Sequence, residues 1–246
     1  MSDNSFQIYL NSKNADIVKG SNTNCTFFLP NFEVPPEYYL YISIPFASIP
    51  VCFYNVNSSN NTLNYTLTGG SLTTITITIG NYDVDTLLTK LNSLLTGFTV
   101  TYSESLNKYT FTHATTNFTF NESSTCFDLL GFTKIDQISS SLTISSNRCV
   151  DLLPIKAFTI CSNLRTNNIT KTSKNEGKIL AQIPITKNFG EVETYTNISN
   201  FRSNLYTNIL TQLDITIGNQ DCYSIDLNGV DWVMCIQFDV IRYAVD

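Results

Sequence analysis

Charge is scarce in this chain. Asp, Glu, Lys and Arg together make up 14% of 246 residues, against about 25% in an average soluble protein. So few charges give little self-repulsion to keep copies apart, which favours a protein that assembles. The remaining balance is acidic, with a net charge of −6 and an isoelectric point near 4.7. Neither the opening Met1–Ser5 nor the closing Ile241–Asp246 carries a basic cluster. Phosphate binding needs clustered Lys and Arg, so a nucleic-acid partner is not expected. No apolar run approaches the ~18 residues that a membrane-spanning helix requires. The N-terminus also lacks the charged and then apolar pattern of a secretory leader, so synthesis in a cytosol is expected.

The residues of enzyme chemistry are equally thin. Histidine occurs once, at His113, whereas metal-dependent β-sandwich enzymes hold their metal through several. His113 shares a strand face with Tyr109 and Phe111 and reads as a core or interface residue. Seven cysteines (Cys25, Cys52, Cys126, Cys149, Cys161, Cys222 and Cys235) stand singly. Without a Cys-x-x-Cys pair they read as reduced, buried thiols. The carboxylate pairs Asp83 with Asp85, Glu191 with Glu193 and Asp221 with Asp226 match no calcium-loop spacing, and read as turn and cap residues. Gly69-Gly70 lacks the Lys-Ser/Thr of a phosphate cradle, and no Gly-x-Ser-x-Gly is present. No catalytic, cofactor-binding or metal-binding residue is predicted, and the protein is read as a non-enzyme.

What the chain has in quantity is Asn, Thr, Ser, Tyr, Phe and β-branched residues, which suit strands and turns. Strands are predicted at Phe6–Leu10, Thr26–Leu29 and Tyr38–Ile44, bounded by Pro30, Pro35-Pro36, Pro45 and Pro50. Thr74–Ile79 alternates strictly and puts Ile75, Ile77 and Ile79 on one face. A helix follows, capped by Asp83, with Val84, Leu87, Leu88, Leu91, Leu94 and Leu95 at helical spacing and Gly97 to end it. Phe98–Tyr102, Tyr109–His113 and Phe118–Phe120 read as strands, and Ser124–Leu130 as a short helix stopped by Gly131. Further strands are expected at Leu142–Ser145, Ala157–Asn163, Ile179–Ile185 and Leu213–Ile217. A long final strand puts Trp232, Met234, Ile236, Phe238 and Val240 on one face.

The expected fold is therefore mainly β: a single antiparallel jelly-roll β-sandwich with a small α+β insertion. The sandwich is assigned to residues 1–61 and 138–246, a discontinuous domain, and the inserted module to residues 62–137.

The order of these segments resembles the penton (minor capsid) proteins of virophages and Polinton-like viruses. The resemblance rests on FQIYLNS, FFLPNFEVPPEYYLYISIPFASIPVCFYNV, ICSNLRTNN, GKILAQIPI, LTQLDITIGNQ and SIDLNGVDWVMCIQFDVIRY. ITITIGNYDVDTLLTKLNSLL, KYTF and CFDLLGF are similar to that family's inserted module. The family implies a homopentamer at the five-fold vertices of an icosahedral capsid, beside trimers of a double jelly-roll major capsid protein. It also implies a virion location, synthesis in the host cytoplasm, no cofactor, and an inserted module that projects outward. A ring of identical copies uses two different flanks of each subunit. Ser2–Asn11, Asn55–Gly70 and Asn163–Glu176 are expected to contribute, being polar, weakly charged and beside strands. The competing reading is the receptor- or glycan-binding head of a viral fibre, although Trp232 reads as core and not as a sugar platform.

Overall fold

The computed structural model describes residues 4–169 and 177–242. The backbone forms two compact units, one of residues 1–53 and 155–246 and the other of residues 54–154. The first unit opens with β1 (Asn4–Asn11), the short β2 (Ile17–Val18), β3 (Asn24–Glu33) and β4 (Tyr38–Pro50). The second unit holds β5 (Thr62–Leu67), β6 (Leu72–Thr76), helix α1 (Val84–Leu94), β7 (Phe98–Ser103) and β8 (Lys108–His113). It continues with β9 (Phe118–Phe120), α2 (Phe127–Leu130), β10 (Gln137–Ile138) and β11 (Thr143–Ser145). The first unit resumes with β12 (Ala157–Ser162), β13 (Ile179–Pro184), β14 (Val192–Thr196), β15 (Ser203–Asn204), β16 (Ile209–Gly218) and β17 (Val233–Arg242).

The first unit is an antiparallel sandwich with sheet orders β1-β17-β4-β14 and β13-β12-β16-β3; β15 pairs with β4 and β2 with β3. Setting those two short strands aside and counting the remaining eight along the chain, the sheets read 1-8-3-6 and 5-4-7-2. That order is a jelly roll. Period-two alternation turns Leu40, Ile42, Ile236 and Phe238 from one sheet, and Phe158, Ile160, Leu213 and Ile215 from the other, into one core with Trp232. The Trp232 indole N–H donates to the Asn22 carbonyl at 2.7 Å, so its polar edge is satisfied inside that core.

Pro35-Pro36 lie between β3 and β4 and Pro50 ends β4, as expected, but Pro30 and Pro45 lie within strands. Pro45 sits in β4 where the pairing with β17 shifts register, with Cys235 opposite Phe46 and Gln237 opposite Ser43. On its other side β14 pairs with Phe46–Pro50 and β15 with Tyr41 and Ile42, so Pro45 falls between the two partners and no ladder lacks its missing N–H. Pro30 likewise occupies a register shift between β3 and β16, with Phe28 opposite Gln212 and Phe32 opposite Leu210.

The second unit has its own core, built on sheets β10-β9-β5-β6 and β11-β8-β7. Phe98, Phe111, Phe118, Phe120, Phe127 and Phe132 pack there ring against ring, for example Phe111 to Phe120 at 5.0 Å and Phe98 to Phe118 at 4.8 Å. Asp83 caps α1 in a capping box with Thr86, and α1 buries Leu87 and Leu91. Asn92 ties α1 to β7: its side chain accepts from the Val100 N–H at 2.8 Å and donates to the Val100 carbonyl at 3.0 Å.

Several local expectations differ from the structure. The strand at Leu142–Ser145, read with the resumed sandwich strands, is β11 and pairs with β8 in the second unit. Asn55–Gly70, read as a polar loop, contains β5, which buries Leu63 and Tyr65 between Asn and Thr residues. The alternating strand ends at Thr76: Ile75 is partly buried, Ile77 fully so, and Ile79 is exposed. β14 and β15 were not expected.

Candidate assembly surfaces

In the sandwich unit the edges of the two sheets come together on two flanks. On one, β1 and β3 meet through Phe6 and Phe32, whose ring centroids are 4.7 Å apart. This flank leaves Tyr9 70% and Phe28 58% exposed, with Ile17 and Val18 beside them. On the other flank β13 and β14 border a groove of about 550 Å³ lined by Ile179, Ala181, Tyr195 and Phe201. Burial pushes the Tyr195 phenol above its ordinary range. Ile169 and Ile198 stand 87% and 89% exposed on this side. Isolated exposed apolar residues are ordinary, but groups of them on a polar surface mark contact sites.

The three segments expected at contacts fall as follows. Of Ser2–Asn11, the described part is β1, the edge strand of the first flank, and residues 2–3 lie outside the described residues. Of Asn163–Glu176, Asn168 and Ile169 line the groove of the second flank, where the Asn168 amide donates to the Ile179 carbonyl at 2.7 Å and to the Ser203 hydroxyl at 2.8 Å. Residues 170–176 lie outside the described residues. Asn55–Gly70 belongs to the other unit.

A polar groove of about 720 Å³ crosses the outer face of the β1-β17-β4-β14 sheet, lined in part by Pro45, Asn197, Arg202 and Asp239. Asp239 is a buried carboxylate that composition did not reveal. It accepts from the Ser5 hydroxyl at 2.6 Å and the Gln237 amide at 2.8 Å, and lies 3.5 Å from the Arg202 guanidinium. Arg202 in turn sits 4.8 Å from the Tyr41 ring centroid.

The residues weighed for chemistry serve the backbone. His113 is buried, and its Nδ1 accepts from the backbone N–H of Thr116 at 3.1 Å. Asp83 accepts from the Thr86 N–H, which holds its carboxyl below the usual range. Glu191 accepts from the Asn188 N–H, and the buried Glu193 from the N–H groups of Thr186 and Lys187. Asp226 accepts from the Asn228 N–H within its own turn. Among the described residues, no three His, Cys, Asp or Glu side chains are grouped to hold a metal ion, and no helix is long and apolar enough to cross a membrane.

No protein-family model matches the chain, and no curated protein sequence matches it. Among solved structures, the crystal structure of the mavirus penton protein is similar, with a TM-score of 0.53 over 97% of this chain and 100% of that one, at 12% sequence identity. The order of segments that resembled penton proteins in the sequence is thus matched in three dimensions: over nearly its whole length, this chain carries the fold of the mavirus penton protein.

Proposed function

We propose that this chain is a penton subunit, a minor capsid protein whose homopentamers close the five-fold vertices of an icosahedral capsid. The observation that carries this reading is the end-to-end structural match to a penton protein, with neither chain left over. The two apolar flanks support it, because a cyclic ring joins one flank of each subunit to the opposite flank of the next. Each contact in such a ring should bury on the order of 800 Å² per partner. In this reading the protein is a non-enzymatic virion component made in the host cytoplasm. Its partners are its own copies and the surrounding trimers of a double jelly-roll major capsid protein. The inserted α+β module is read at residues 62–137, and the compact unit of residues 54–154, which contains that segment, supports it.

A receptor- or glycan-binding fibre head is the second reading, favoured by the polar groove at Asp239. The only tryptophan is unavailable to it, since Trp232 is buried in the sandwich core. Light scattering after size exclusion, with negative-stain imaging of the same peak, separates the two. Five-membered rings are expected, whereas a stable trimer would move the assignment to the fibre head. A monomer that also fails to join the major capsid protein would remove the penton reading.

A further inference from the structure

The outward face of the β13-β12-β16-β3 sheet is not open along its whole length. Thr159 pairs with Gly218 and Cys161 with Thr216, so these four residues share that face. Thr159 and Cys161 are nonetheless buried, because the chain after β16 folds back over them. The fold-back is tight. Cys222 donates its N–H to the Asn219 carbonyl at 2.9 Å, Asn219 donates to the Tyr223 carbonyl at 2.8 Å, and Gly218 bridges to Ser224. A Cβ on Gly218 would lie 2.8 Å from the Tyr223 oxygen, so only glycine lets the turn come this close.

The turn carries Cys222 onto Cys161. Both cysteines line one cavity of about 340 Å³ with Lys178, Asp214, Thr216 and Ser224. Burial, together with the adjoining Cys222, pushes the Cys161 thiol up to about 12. Cys222 is half-buried and adopts a left-handed backbone, φ 63°, which non-glycine residues rarely take.

We propose that Cys161 and Cys222 form a reversible disulfide, making the turn after β16 a redox-dependent staple. The oxidant is a disulfide-bearing molecule, either oxidised glutathione or a thiol oxidoreductase in its disulfide form. The more accessible Cys222 reacts first: its thiolate attacks the oxidant, forms a mixed disulfide and releases one thiolate. Cys161 then attacks the Cys222 sulfur and gives up its proton, and the second thiol leaves. Two electrons and two protons pass from the protein to the oxidant, which departs as two thiols. The new bond ties β12 of one sheet to the connection that leads into β17 of the other.

The test uses the full chain, equilibrated with oxidised glutathione, quenched with N-ethylmaleimide and mapped by peptide mass. The expected product is one cross-linked pair, Cys161 with Cys222, lighter by two hydrogens, reversed by dithiothreitol and accompanied by a higher thermal midpoint. In Cys222→Ser the cross-link disappears and Cys161 is alkylated only after unfolding. Glutathione retained on Cys222 beside a free Cys161, two unmodified thiols, or cross-links among other cysteines would each overturn the proposal.

Discussion

Replacing Phe120 by alanine should unfold one unit of this protein well before the other. Phe120 is fully buried in the second unit's core, with ring centroids 5.0 Å from Phe111, 5.1 Å from Phe118 and 5.8 Å from Phe132. Removing a buried phenylalanine costs about 3–5 kcal/mol in transfer and cavity terms. A fourth ring, Phe98, stacks at 6.4 Å, and four lost aromatic pairs, at roughly 0.5–1.5 kcal/mol each, put this site at the upper end of that range. A unit of about a hundred residues has a total stability of roughly 5–15 kcal/mol, so the loss is a large share of it. With a urea dependence of about 2 kcal/mol per molar, the unit's midpoint should fall by about 2 M. The only tryptophan, Trp232, lies in the first unit's core, 6.1 Å from Phe27, so its emission follows that unit, whereas far-ultraviolet circular dichroism follows both. The expected result for Phe120→Ala is an early dichroism phase with the tryptophan transition unmoved. A tryptophan transition that shifts in step would refute the reasoning, because it would show that the two cores melt as one.

Asp83→Ala should cost about 1 kcal/mol of stability by removing the α1 cap. Because the Thr86 N–H lowers the Asp83 pKa in the folded state, this stability is full above the ordinary carboxylate range and lost as pH falls through the lowered value, so urea midpoints of parent and variant should converge in acid. Gly131→Ala should be far more costly than Gly229→Ala: both have φ 76°, but a Cβ at Gly131 would sit 2.5 Å from the Arg148 oxygen while Gly229 faces open space, and thermal midpoints check the order. In the native protein a thiol label should reach the exposed Cys149 first and leave Cys126, whose pKa burial pushes up to about 12, until unfolding. If the ring uses both flanks, Tyr9→Asp and Phe201→Asp should each break pentamers, weakening the contact by roughly thirtyfold or more, and an equimolar mixture should form dimers through the one junction that pairs two unaltered flanks. Sedimentation reads both outcomes, and a mixture that stays monomeric would show that the two flanks do not meet.

Much of the fold was legible because alternation and helical spacing are local. The final strand could be read from Met234, Ile236 and Phe238, and α1 from Asp83, Leu87 and Leu91, each pattern confined to a few turns of chain. Elements that depend on distant partners were not legible. Proline is normally a strand breaker, and Pro45 is tolerated only because β17 shifts register opposite it while β14 and β15 leave a gap on its other side. β14 carries Glu193 toward the interior, so its sequence looks solvated; the loop N–H groups that satisfy the carboxylate lie on Thr186 and Lys187. The candidate surfaces were legible only in part for the same reason. Tyr9 and Phe201 look like any other aromatic residues until the sheet order shows that their strands and connections border open flanks.

The sheet order also explains where a second unit can be inserted. β4 lies inside one sheet and β12 inside the other, so the chain between them crosses from sheet to sheet and forms no hairpin. A hairpin fixes loop length through turn geometry, whereas a crossover constrains only where its ends lie. Lengthening such a connection costs closure entropy that rises only with the logarithm of its length, about 0.6 kcal/mol per doubling. The second unit lowers even that cost by clasping its own ends. Asn55, at its entry, accepts from the Tyr82 N–H at 2.9 Å and donates to the Leu152 carbonyl, near its exit, at 3.1 Å. Entry and exit therefore come together through hydrogen bonds inside the inserted unit, and the sandwich meets a short bridge and not a hundred free residues.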